Sequence, residues 1–291
     1  MGKRGWLNLA LLLAVAVLAA VVYWQPGKQS EPASPLTPLD PTAVQRMTIE
    51  RPAAETIVLQ RQDKQWRMIE PLAVAANSFQ VRRVLEPLTQ QSLQRYPAAG
   101  LELTKYGLRP PRAKLTADGV ELSFGKVNPL NSRLYVRVDD VMHMVAQNDI
   151  SFLTAPWLEF VSTAPLPDAP LAGLTLPGLG TITKDQAGWR YEGPSAPQSA
   201  DQLQALVDNW RHLRALRVRP LQAADISQQV EVRLASGATL QFALQSDADA
   251  LVLQRRDLGL EYVFDGDQSQ RLLAWPPLHG ADGSLPANEG D

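Results

Sequence analysis

The sequence states nearly the same pattern twice, about 120 residues apart, and any fold it adopts has to satisfy both statements. Trp66 in KQWRMIEP is answered 123 positions later by Trp189 in AGWRYEGP, and Trp157 in TAPW is answered 118 positions later by Trp275 in LAWP. Two matched landmarks with matching pattern between them predict tandem copies of one domain. A length of 291 residues accommodates two such domains, each long enough to bury a core of its own.

The copies predict the same elements in the same order. In the first, strands are expected at Met47–Glu50, Thr56–Arg61 and Gln65–Ile69, the last two joined by a turn at Gln62–Lys64. A helix follows in which Val81, Val84, Leu85 and Leu88 fall at the i, i+3, i+4, i+7 spacing of one apolar face, with Asn77 and Gln80 as a capping box. Pro87 has no N–H to give and is expected to kink or end this helix. Strands at Ala113–Thr116, Val120–Phe124, Arg133–Val138 and Met142–Ala146 complete the copy, with turns at Ala117–Gly119 and Asp139–Asp140. The second copy predicts strands at Ile182–Lys184 and Trp189–Tyr191, then a helix capped by Ser199 with Gln202 and faced by Leu203, Leu206, Val207 and Trp210. Its closing strands are expected at Val230–Leu234, Thr239–Leu244, Ala250–Gln254 and Glu261–Phe264. The expected fold class is α+β: two tandem repeated domains, each a mostly antiparallel sheet with one main helix, behind one N-terminal transmembrane helix.

That helix is read from the first residues. Lys3 and Arg4 precede an apolar run from Trp6 to Trp24 whose only polar member is Asn8. Nineteen helical residues rise roughly 28 Å, close to the hydrocarbon thickness of a bilayer. Trp6 at one end and Tyr23 with Trp24 at the other fit interfacial aromatic belts, and the basic residues before the run place that end in the cytoplasm. The domains would then lie across a bacterial inner membrane, in the periplasm. A cleaved signal peptide is the competing reading, because Ala19 and Ala20 are small, although Val21 to Trp24 continue the apolar run. The absence of cysteine excludes lipoprotein attachment and thiol catalysis.

The expected organisation is therefore a cytoplasmic segment at 1–5, a membrane span at 6–24, a proline-rich periplasmic tether at 25–43, a first domain at 44–157, a linker at 158–171, a second domain at 172–276 and a disordered acidic tail at 277–291. A net charge of −2 gives no whole-chain attraction to nucleic acid, so none is expected as a partner; the bilayer is.

Chemistry-bearing motifs are few. The three histidines, His143, His212 and His279, show no metal-ligand spacing, and no serine adjoins a histidine and an acid in a nucleophile motif. Asp139–Asp140, Asp247 with Asp249, and Asp265 with Asp267 fall at expected hairpin turns, where aspartate serves backbone geometry. No catalytic, cofactor or metal residue is expected, and the chain reads as non-enzymatic. The densest charge cluster is WRHLRALRVRP, with Arg211, Arg214, Arg217 and Arg219; Arg82 and Arg83 make a smaller one on the first helix. Both fit a patch for an acidic partner or lipid headgroup, and both also fit a solvated helix end whose cations complement the C-terminal dipole.

WRMIEP, the capped helix after it, the element Tyr106-Gly107-Leu108 with Pro110-Pro111, and the strings FGKVNP and LYVRVDD together resemble the bacterial family catalogued as domain of unknown function 4340. The likeness is good over 44–157 and thinner over 172–276, where Ala223–Ile226 stands in place of the tyrosine-glycine-leucine element. The resemblance implies one N-terminal span and often two such units. It also implies association with gliding-motility-type ABC transporter components, hence an accessory subunit beside an inner-membrane permease and its ATPase. The alternative is a cell-envelope scaffold that recognises glycan or another periplasmic protein without transport; a hydrolase has least support, since no residue set supplies nucleophile, base and oxyanion donor.

Overall fold

The computed structural model describes residues 6, 12–17, 19–20, 34–146, 149–197, 199–222, 228–246 and 250–277. Most of the expected span 6–24, including Tyr23 and Trp24, lies outside these, as do the tail from 278 and the Ala223–Ile226 stretch. Trp6, 12–17 and 19–20 are helical and exposed. Among the described residues no helix is long and apolar enough to cross a membrane. The fold is mostly antiparallel sheet with few helices, and the chain divides into two compact units, Met1–Val44 with Leu85–Ile150, and Gln45–Val84 with Ser151–Asp291.

In the first unit, β1 (Ser34–Pro35) pairs with β6 (Gln91–Ser92). This pairing lies inside the segment expected as a free tether: Leu36 and Thr37 are buried, and the Thr37 hydroxyl donates to the Leu88 carbonyl at 2.9 Å. One leucine and one threonine with a mainchain partner suffice to dock an otherwise proline-rich stretch. The main ladder of this unit runs β8 (Ala113–Ala117), β9 (Val120–Val127), β10 (Leu134–Val138), β11 (Val141–Val145) and β7 (Gln94–Pro97), all antiparallel. Alternate burial along β8 and β10 matches the expected two-residue period. The turns fall where aspartate and glycine stand, with Asp118 and Gly119 at φ 42° and 92° and Asp139 at φ 50°. The tyrosine-glycine-leucine element lies in the 98–112 loop, which covers a small second core of Ala98, Leu103, Leu108 and Met142 flanked by Tyr106 and Tyr135. Gly107 is at φ 67°, and a Cβ on Gly125 would collide with the Tyr106 carbonyl, so both glycines let the loop close onto β9.

In the second unit, β2 (Arg46–Glu50), β3 (Ile57–Gln62), β4 (Gln65–Glu70) and β5 (Val74–Ala75) form one antiparallel run. The eight-stranded sheet has the order β14 (Gly188–Glu192), β13 (Gly180–Asp185), β12 (Leu171–Leu176), β16 (Gln228–Leu234), β17 (Thr239–Ser246), β18 (Ala250–Arg255), β19 (Leu260–Asp265), β15 (Arg217–Pro220). Met47, Ile49, Ile57, Leu59 and Met68 are fully buried in one run, and Phe242, Leu251, Leu253 and Phe264 in the other. Each such side chain contributes roughly 1.5–3 kcal/mol by leaving water. A basic side chain lies over the first pair of landmark tryptophans from the neighbouring strand: Arg61 at 5.0 Å from Trp66 and Lys184 at 5.6 Å from Trp189.

Helix α1 (Ser78–Leu85) gives way to a 3-10 helix at Glu86–Thr89 with proline in its first turn, the stop expected of Pro87. A helical turn, α2 (Ser151–Thr154), and a 3-10 helix at Trp157–Phe160 follow later. Helix α3 (Ala200–Arg211), free of proline, runs longer, burying Leu203, Leu206, Val207 and Trp210, and the Trp210 indole donates to the Leu272 carbonyl on α4 (Gln268–Leu273) at 2.9 Å.

Both expected cap residues cap their helices. Asn77 Oδ1 accepts from the Phe79 N–H at 3.0 Å, and Ser199 Oγ accepts from the Gln202 N–H at 3.2 Å. Among the described residues Gln80 Oε1 has no donor, because the Asn77 N–H goes to the Phe160 carbonyl at 2.8 Å; the Gln202 amide donates to the Pro276 carbonyl at 2.7 Å.

Candidate functional site

The arginine cluster begins where α3 ends. His212 occupies the C-cap, its N–H and its ring Nδ1 both bonded to the Asp208 carbonyl at 3.0 Å, which turns the chain out of the helix. Leu213 and Ala215 then point inward, and the Ala215 N–H donates to the Thr163 carbonyl. Their neighbours are thereby forced outward: Arg211, Arg214 and Arg217 are exposed, and Leu216 between them is 72% exposed. Arg219 departs from the group. Its Nε donates to Glu261 Oε2 at 2.7 Å across the β15–β19 pair, so it serves the fold of the sheet edge.

On α1, Arg82 is exposed and Arg83 half-buried, and both guanidinium groups lie 6.0 Å from the Phe79 ring. Phe79 is itself 56% exposed, and Arg83 also lies 4.9 Å over Phe152. The result is an exposed aromatic flanked by cations at the start of the helix.

Glu261 reveals a site that the sequence reading passed over. Its carboxylate, in a residue only 1% exposed, accepts from Arg219, from the Gln222 N–H at 2.9 Å and from Gln254 Nε2 at 2.7 Å. Three donors offset the desolvation of a buried charge. Strand register extends the row, Gln229 facing Ala243, Ala243 facing Gln254, and Gln254 facing Glu261. Beside it opens a cavity of about 350 Å³ lined among others by Gln229, Thr239, Gln241, Gln254, Arg256 and Asp257. Arg255 holds Asp257 in a two-pronged ion pair and, with help from backbone N–H groups, keeps its carboxyl below the usual range. Amide, hydroxyl, guanidinium and carboxylate groups here can exchange hydrogen bonds with a hydroxyl- or amide-rich ligand. The signal in the sequence was a glutamate within the apolar alternation of LEYVF, opposite an arginine 42 residues earlier.

Of the remaining candidates, His143 has a structural role. His143 is buried, its Nδ1 2.9 Å from Ser92 Oγ, and burial, with Arg95 adding a smaller push, lowers its pKa. Asp247, Asp249 and His279 lie outside the described residues. Among the described residues no group of three or more His, Asp or Glu side chains is disposed to hold a metal ion.

Fold and surfaces together define a mostly antiparallel α+β protein whose polar groups gather in a sheet-face cavity and at a helix end. The chain belongs to the family described as domain of unknown function (DUF4340), whose model matches residues 66–236. No curated protein and no solved structure matches it.

Proposed function

We propose that the chain is a membrane-anchored, periplasm-facing interaction protein made of two copies of one α+β domain, an accessory subunit of an inner-membrane ABC transport system. The observation that supports the duplication is that like contacts recur at one sequence offset. Arg61 on Trp66 and Lys184 on Trp189 stand 123 residues apart, and the helix caps Asn77 and Ser199 stand 122 apart. The edge segments Leu93–Pro97 and Leu216–Pro220 are again 123 apart, and each leucine N–H donates in the same irregular way to its partner strand, at Met144 and at Val263. Strand neighbours also agree, β8-β9-β10-β11-β7 against β16-β17-β18-β19-β15.

Duplicated sheets with divergent surfaces favour partner binding over catalysis. The exposed Arg211, Arg214, Arg217 and Leu216 combine charge with an apolar centre, the composition of a docking surface. The transport assignment rests on the family resemblance, and the basic run before the apolar N-terminal segment supports the anchor and its orientation. Affinity purification in mild detergent is expected to recover a permease and an ATPase, with recovery cut about tenfold by Arg211→Glu with Arg214→Glu, the scale of two lost interfacial charges. Recovery of neither component from the unaltered protein rules out the transport reading.

The polar cavity beside Gln254 favours a second reading, an envelope scaffold that holds glycan. On that reading peptidoglycan fragments bind, and Gln241→Ala with Arg256→Ala abolishes the binding while no ATPase is recovered.

A further inference from the structure

A second cavity, of about 230 Å³, lies wholly within the unit formed by 45–84 and 151–291. Three separate stretches of chain wall it: the β4–β5 hairpin through Arg67 and Val74, the segment from Ser162 to Pro167, and the second sheet through Leu240, Leu258 and Tyr262. The walls are fixed by backbone pairing. Asn77 N–H donates to the Phe160 carbonyl at 2.8 Å, Ser162 N–H to the Ala75 carbonyl at 2.9 Å, and Ala76 bridges Val161. Arg255 fastens the third side, its Nη1 reaching the Pro165 carbonyl at 3.4 Å while its other nitrogens are spent on Asp257.

The chemistry of the lining is one-sided. Arg67 has no acceptor among the described residues. The Tyr262 hydroxyl has none either, although the residue is 3% exposed, and Ser162 Oγ accepts from the Ala164 N–H, which leaves its own proton to give. Arg255 is neutralised by Asp257, so the cavity holds one uncompensated positive charge and a surplus of donors, with Val74, Leu166, Leu240 and Leu258 as apolar wall.

We infer that this cavity is a binding site for a small aliphatic monocarboxylate, its head held by Arg67 with Tyr262 and Ser162 and its chain laid against the leucines. A single cation with neutral hydroxyl donors matches one negative charge, where a phosphate dianion would leave charge uncompensated. At about 30 Å³ per water, the space equals roughly eight waters, the size of a six-carbon acid. The site does not depend on the transport partner proposed above.

Titration calorimetry of the full chain in detergent, with hexanoate, hexanamide and hexyl phosphate as probes, tests this. Hexanoate is expected to bind at one saturable site, and hexanamide about tenfold more weakly, as one charge-assisted hydrogen bond is lost. Arg67→Gln is expected to weaken hexanoate by about tenfold with the melting temperature unchanged, because Arg67 supports no other group. Tyr262→Phe keeps the ring and loses only the hydroxyl, so it separates ligand contact from packing and should weaken binding a few-fold. Equal binding of hexanoate and hexanamide, tighter binding of hexyl phosphate, or binding that Arg67→Gln leaves within twofold of the unaltered chain would each overturn the assignment.

Discussion

At the scale of single residues, His143 carries a consequence for acid stability. It is 6% exposed and bonded to Ser92, and both its burial and Arg95 disfavour the imidazolium. Its folded pKa therefore lies below the ordinary 6.5, so below that pH the unfolded chain takes up a proton that the folded chain refuses. The stabilisation is whole above pH 6.5 and is lost as pH falls toward the folded value. Comparing urea midpoints between pH 5 and 7.5 should show a steeper acid decline for the natural chain than for His143→Gln; parallel curves would remove His143 from the account. Glu261 is a buried acid whose carboxylate accepts from three donors, supplied by strand register and by the chain following β15.

At the scale of elements, the two helix starts make a comparison. Ser199 supplies one cap bond, whereas Asn77 supplies a cap bond and also donates from Nδ2 to the Glu159 carbonyl at 3.2 Å. Ser199→Ala should cost about 1 kcal/mol and Asn77→Ala about 2 kcal/mol, read as denaturation midpoints at constant slope. Equal losses would mean that the Glu159 bond adds nothing. Helices α1 and α3, their cap residues Asn77 and Ser199, the stop at Pro87 and nearly all the closing strands were legible in the sequence because each depends on neighbours in the chain, whereas α2 and α4 fall in segments that read only as short apolar runs. β7 was not: all four of its residues are exposed, so no alternation marks it, and only its pairing with β11 makes it a strand. β12 was hidden for another reason, its Leu171–Leu176 run following a proline-rich stretch that reads as linker. The same division holds at the candidate sites. The exposure of Arg211 follows from local helix geometry and was readable, whereas that of Arg214 and Arg217 follows from the inward Leu213 and Ala215 beyond the helix end, and the use of Arg219 depends on a glutamate brought to it by the sheet. The smaller cavity is assembled from distant segments and left no local trace, while the larger was marked only by the glutamate within LEYVF.

At the scale of the whole molecule, the expectation that bears on everything else is the anchor. If the N-terminal segment is retained, intact mass of detergent-extracted protein should correspond to the chain from its first residues; a mature terminus near residue 21 would make the ectodomain a released, soluble species. Each of the two large sheets has open edges, and the ends of β7 and β15 show how two of them are managed. The Ala98 and Leu221 N–H groups donate inward, to the Asp140 and Gly259 carbonyls, so by alternation the amide positions before them face out, and there stand Pro97 and Pro220. An incoming strand finds no donor at those positions, which disfavours lateral growth of either sheet into a fibre. If the chain is anchored as proposed, high local density on a membrane surface would favour polymerisation through its own margins, and these two prolines act as terminators.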